Sequence, residues 1–134
     1  MSFDKNYLKE LVLNDKNFTK ILKEASTVNL IYLSFNPTLT KKMINTLFEK
    51  NIENINGNLL KNSLCEESKI REFLSLKDKI YNICIAHNKA LNKSLYEELF
   101  ILNDYDVNIS LFFNTSIPKD LKLLLHSKLK LDIS

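Results

Sequence analysis

DVNISLFFNTSIPKDLKLLL, residues 106–125, holds two helical stripes separated by one asparagine. Val107, Leu111 and Phe112 fall at i, i+4 and i+5, and Ile117, Leu121, Leu124 and Leu125 fall at i, i+4, i+7 and i+8. Both spacings put apolar side chains on one face of a short helix. Asn114 stands at the break, and Pro118 opens the second stripe, where a missing backbone N–H is tolerated. The stretch therefore predicts a helix, a sharp turn and a second helix.

Steps of 26 residues upstream find the same pattern. Asparagine recurs at Asn36, Asn62, Asn88 and Asn114. Three residues before it stand Leu33, Leu59, Ile85 and Leu111; three after it, Leu39, Cys65, Leu91 and Ile117; eleven after it, Leu47, Phe73, Leu99 and Leu125. Four columns in register, three of them apolar, mark an internal repeat in which neighbours bury one another's apolar faces. LVLNDKNFTKIL (11–22) adds a divergent first copy, with Asn14 spaced 22 rather than 26 residues from Asn36. The expected fold is an all-α, right-handed α-solenoid of about five helix pairs. It forms a single domain over residues 1–134, with units at roughly 1–26, 27–51, 52–77, 78–103 and 104–134.

Composition agrees with helix. The chain has one glycine, Gly57, and two prolines, Pro37 and Pro118, too few for the turns of an all-β fold. With glycine scarce, asparagine is the side chain that best tolerates a left-handed helix terminus. Asn36, Asn62, Asn88 and Asn114 are thus expected to be structural joints in that conformation. Thr40, Asn92 and Pro118, with Glu66 in the second copy, precede the second helix of each pair, and Asp78 and Asp104 precede the first.

IAHNKALNKSLYEEL (85–99), SLFFNTSIPKDLKLLL (110–125) with NDYDV (103–107) before it, and LSFNPTLTKKMINTL (33–47) resemble the leucine-rich repeat variant family of bacterial proteins. The resemblance spans roughly residues 28–125. It implies a right-handed superhelix of paired short helices, HEAT-like in kind. Pro follows the asparagine only at Pro37, the second-helix proline appears only at Pro118, and NSLCEESKIREF (62–73) is a poor copy. Some members carry an iron–sulfur cluster; Cys65 and Cys84 cannot supply four thiolates, so none is carried over. The rival fold is an ordinary leucine-rich repeat, because Ile31-x-Leu33, Ile83-x-Ile85 and Ile109-x-Leu111 precede Asn. It fails two residues after Asn, where Thr38, Leu64, Ala90 and Ser116 stand, and eight before, where Val28, Asn54, Ile80 and Asp106 stand.

Chemistry is scarce. His87 and His126 are the only histidines and have no carboxylate or thiol at ligand spacing; His87 suits the carbonyl end of a helix. Glu66-Glu67, Glu97-Glu98 and Asp104/Asp106 fall at helix starts or polar faces and read as solvated caps. Cys65 occupies an apolar column, whereas Cys84 shares its column with Tyr32, Asn58 and Ser110, which leaves an exposed thiol open. No metal, cofactor or catalytic constellation is expected, and the expected protein is not an enzyme. The charged N-terminus MSFDKNYLKE is no signal peptide and no apolar run approaches a membrane span, so a cytoplasmic home is expected.

Two surfaces remain. Asn56, Asn82 and Asn108 stand six residues before a ladder asparagine, Leu30 breaking the column. They are either local backbone caps or a polar stripe on a concave binding face. The C-terminal LKLLLHSKLKLDIS (121–134) has more leucine than one stripe uses. Leu123, Leu129 and Leu131 lie partly outside the face of Leu121, Leu124 and Leu125, with Lys122, Lys128 and Lys130 between them. It reads as a capping helix, an oligomer contact or a partner surface.

The net charge of +3 comes from 18 lysines against one arginine, Arg71, and 16 acids. The lysine excess follows AT-rich coding as readily as phosphate binding, which favours arginine. The expected function is a protein- or peptide-binding scaffold, monomeric or weakly dimeric through the C-terminal helix. The alternative is nucleic-acid binding through Lys119, Lys122, Lys128 and Lys130.

Overall fold

The structure, a computed structural model, describes residues 3–130. Ten α-helices and no strand occur among the described residues: α1 (Lys5–Glu10), α2 (Asp15–Glu24), α3 (Thr27–Leu33), α4 (Lys41–Phe48), α5 (Glu53–Leu60), α6 (Glu67–Leu74), α7 (Lys79–Ala86), α8 (Lys93–Ile101), α9 (Tyr105–Phe113) and α10 (Lys119–Leu129). The contacts group the chain into two compact units, Met1–Cys65 and Glu66–Ser134. The boundary falls between α5 and α6, at Glu66, the N-cap of α6, whose side chain makes no cap hydrogen bond.

Helix starts keep the period. Ser26, Ile52, Asp78 and Asp104 are the N-caps of α3, α5, α7 and α9. Asn14, Thr40, Glu66, Asn92 and Pro118 are those of α2, α4, α6, α8 and α10. Asn14 thus belongs to the N-cap column, 26 residues before Thr40, and not to the ladder column of Asn36. Its carbonyl-type side chain caps the Asn17 N–H at 2.9 Å, which is why an asparagine stands there. The first copy is in register, and its ladder slot is held by Glu10.

Within the first unit α1 packs on α3, α3 on α5, and α4 on α5. Within the second, α7 packs on α9, α6 and α8 on α7, and α8 and α10 on α9. First helices of successive pairs therefore touch within each unit. Leu33 and Leu59 in one unit, and Ile85 and Leu111 in the other, are fully buried, as are Leu47, Leu99 and Leu125 from the second helices. Burying a leucine side chain contributes roughly 1.5–3 kcal/mol, so these columns hold each unit together.

The left-handed residues are not the ladder asparagines. Positive φ occurs at Asn51, Lys77 and Asn103, and at Lys130, among the described residues, whereas Asn114 has φ −74°. Asn51, Lys77 and Asn103 are also 26 apart, and each closes a tightened last turn whose N–H reaches a carbonyl three residues back, at Phe48, Leu74 and Phe100. The strained joint is the one leading out of a pair, not the one inside it. A lysine in the left-handed region is costlier than asparagine. Lys77→Asn is expected to raise the unfolding free energy by roughly 0.5–1 kcal/mol in urea titration.

Candidate interaction surface

The ladder asparagines act through their side chains. Asn36 Nδ2 donates to the carbonyls of Leu8 and Leu11 at 2.8 and 2.7 Å, and its Oδ1 accepts from Thr38 N at 2.8 Å. Asn114 repeats the arrangement in the second unit, donating to Ala86 O and Asn88 O at 2.9 and 2.8 Å and accepting from Ser116 N at 2.9 Å. Asn88 and Asn62 accept from Ala90 N and Leu64 N, each at 2.8 Å. One amide therefore closes its own turn and ties down the carbonyls that end the preceding first helix. Such groups hold a fold and present nothing to a ligand.

Tyr96 joins this network by donating its hydroxyl to Asn88 O at 3.2 Å. Burial pushes its phenol up from the ordinary tyrosine value, against a smaller opposing effect of Asn114. A raised folded value means stability that is intact below the unfolded pKa of about 10 and lost as pH rises through the folded one. Tyr96→Phe is expected to flatten the alkaline fall in stability relative to the parent, read by denaturation at stepped pH.

The polar column is interior. Asn56, Asn82 and Asn108 are only 1%, 7% and 2% exposed, so they form no surface stripe. Each lies on an inward face of its helix, α5, α7 or α9, and Asn56 reaches back to the joint that enters α5. It donates Nδ2 to Asn51 Oδ1 at 3.2 Å, on the left-handed residue five positions earlier. The Oδ1 atoms of Asn82 and Asn108 accept no hydrogen bond from described protein groups. In α3 the buried amide shifts by one residue to Asn29, which donates to Phe3 O at 3.3 Å and accepts from Ser26 Oγ at 3.0 Å, leaving Leu30 for the core.

Surface chemistry lies elsewhere. In the second unit, Leu76 and Leu102 precede the left-handed joints, and Ile80 and Tyr105 follow them; all four are exposed. Lys79 sits between these joints, with Nζ 2.8 Å from Asp106 and 3.7 Å from Asp104, so its charge is neutralised beside apolar neighbours. These residues escape a sequence reading that looks for buried stripes. Their only signal is the position of Leu76 and Leu102 one step before Lys77 and Asn103.

The C-terminal helix carries the second surface. Leu121 and Leu125 are buried, but Leu124 is 53% exposed, contrary to its assignment to the inward stripe. Leu123 is 66% exposed; α10 buries only one narrow edge against α9, so two of the three consecutive leucines face outward. Leu131 lies outside the described residues. Lys122 Nζ stands 5.1 Å from the centroid of the Phe112 ring and Lys128 Nζ 4.9 Å from that of Phe100, so both lysines lie over aromatic faces. Lys130 ends the helix in a left-handed turn. Phe112, Lys119, Lys122, Leu123 and His126 line an open groove of about 240 Å³.

Cys65 and Cys84 are both buried, which answers the open case of Cys84. His87 is the exposed C-cap of α7, and His126 lies 6.2 Å from Phe112, ring to ring. Among the described residues no group of three or more His, Cys, Asp or Glu is placed to hold a metal ion, and no helix is long and apolar enough to cross a membrane. The chain matches no known protein family, no characterised protein and no solved structure.

Proposed function

We propose that the chain is a non-enzymatic helical-repeat module that binds a protein or peptide, built as a right-handed α-solenoid of about five pairs and similar to the leucine-rich repeat variant family. One observation carries the reading: the second unit leaves large apolar side chains in solvent while its core is complete. Ile101, Leu102, Tyr105, Phe113, Leu123 and Leu124 are all exposed. Apolar side chains grouped at joints and on a terminal helix contribute nothing to the fold, and such groupings mark protein contacts. The solenoid part rests on the common 26-residue register of helix starts in both units.

Nucleic-acid binding is the second reading, favoured by the lysines of α10. It leaves the exposed leucines between them without a role. Panning a random peptide display library on the immobilised full chain, followed by solution binding of the selected peptides, separates the two. Saturable peptide binding that survives moderate salt is expected. Binding only to oligonucleotides, with affinity falling steeply in salt, would overturn the protein-binding reading.

A further inference from the structure

We infer that the Phe112–Leu123 groove between α9 and α10 seats one large apolar side chain of an acidic peptide segment, a deepening that rests on the protein-binding reading above. The groove, at about 240 Å³, falls below the roughly 300–1,000 Å³ of sites that enclose a small molecule. It has room for one anchor residue. Phe112 and Leu123 supply the apolar walls, and Lys119, Lys122 and His126 the rim.

Charge complementarity fixes the occupant. The acid that α10 itself carries is already engaged: Asp120 pairs with Lys93 at 3.2 Å. Lys119, Lys122 and Lys128 form no ion pair with described residues. A basic rim around an apolar seat suits carboxylates flanking an apolar anchor, with the anchor giving affinity and the charges giving register and on-rate. A nucleobase fits less well, because Lys122 and Phe113 already lie against the Phe112 ring, the latter edge-on at 5.3 Å. A second copy of the chain would set one lysine rim against another in a symmetric contact.

The test titrates the full chain into a fluorescein-labelled Glu/Asp-rich peptide with one central Phe, and into the same peptide with Ser in its place. Saturable binding of the Phe peptide is expected, weakened about tenfold or more by the Ser exchange, by Leu123→Glu and by Lys122→Glu. Lys16→Glu, an equal charge change at an exposed residue of α2, is expected to leave it unchanged. All three substitutions are at exposed positions, and circular dichroism checks that each variant is folded. Equal loss with Lys16→Glu, equal binding of the Ser peptide, or self-association lost with Leu123→Glu would each overturn the groove. So would binding of single-stranded DNA or phosphatidylserine vesicles that those same variants abolish. If panned neutral peptides bind and the α10 variants do not affect them, the groove is wrong and the protein-binding reading stands. If no peptide binds at all, both fall.

Discussion

Asn114→Ala is expected to lower the unfolding free energy by about 3 kcal/mol in urea titration, with the denaturant slope unchanged. The substitution removes two donated hydrogen bonds, to Ala86 O and Asn88 O, and one accepted from Ser116 N. Asn114 is buried, so Ala86 O loses this donor in a site that water reaches poorly, while Asn88 O keeps the Tyr96 hydroxyl. Each orphaned buried polar group costs about 1–3 kcal/mol. Asn114→Asp is expected to be at least as damaging, because a carboxylate would replace the donor and face the two carbonyls. Asn108→Ala provides the contrast: six residues earlier and equally buried, its Oδ1 receives nothing from described groups, so its loss is expected to cost about 1 kcal/mol or less. Equal costs at the two positions would show that the amide network of Asn114 does not hold the turn.

Asparagine as a residue type explains why the sequence discloses some of this and not the rest. It serves as N-cap at Asn14 and Asn92, as left-handed terminator at Asn51 and Asn103, as turn-closing amide at Asn36 and Asn114, and as buried partner of a joint at Asn56. All these uses share the 26-residue period, so periodicity reveals the register and the helix pairs without distinguishing one use from another. Propensity misplaces the left-handed joint: it falls fifteen residues after Asn36, Asn62 and Asn88, and at Lys77 no residue preference marks it. Asn14 misled for the same reason, since a capping asparagine resembles a ladder asparagine until the hydrogen bond to Asn17 is seen.

The candidate surface was half legible. Lysines and surplus leucine marked α10, because both exceed what a capping stripe needs. Exposed apolar side chains at Leu76, Ile80, Leu102 and Tyr105 were not, because an apolar residue beside a turn looks like part of the next buried stripe. Only the orientation of each helix about its axis decides, and a run such as Leu123-Leu124-Leu125 spans about 200° of the circumference, more than one face can bury, so spacing cannot fix that orientation.

Leu125→Ala is expected to cost about 3 kcal/mol and Leu124→Ala less than about 0.5 kcal/mol, measured in parallel by urea unfolding. The two residues are adjacent and chemically identical, which removes propensity and unfolded-state differences from the comparison. Leu125 is fully buried, in the column that continues Leu47, Phe73 and Leu99, while Leu124 is more than half exposed. Truncating Leu125 leaves a cavity beneath α9 that α10 cannot fill by a small shift, since Leu121 holds it one turn earlier. Truncating Leu124 gives up only partial surface burial. Hydrogen exchange provides an independent readout: amides of α9 and α10 are expected to lose protection in Leu125→Ala and keep it in Leu124→Ala. A reversed order would place Leu124 inside, as the sequence spacing suggests, and would turn Leu123 and the lysine-rimmed groove away from solvent.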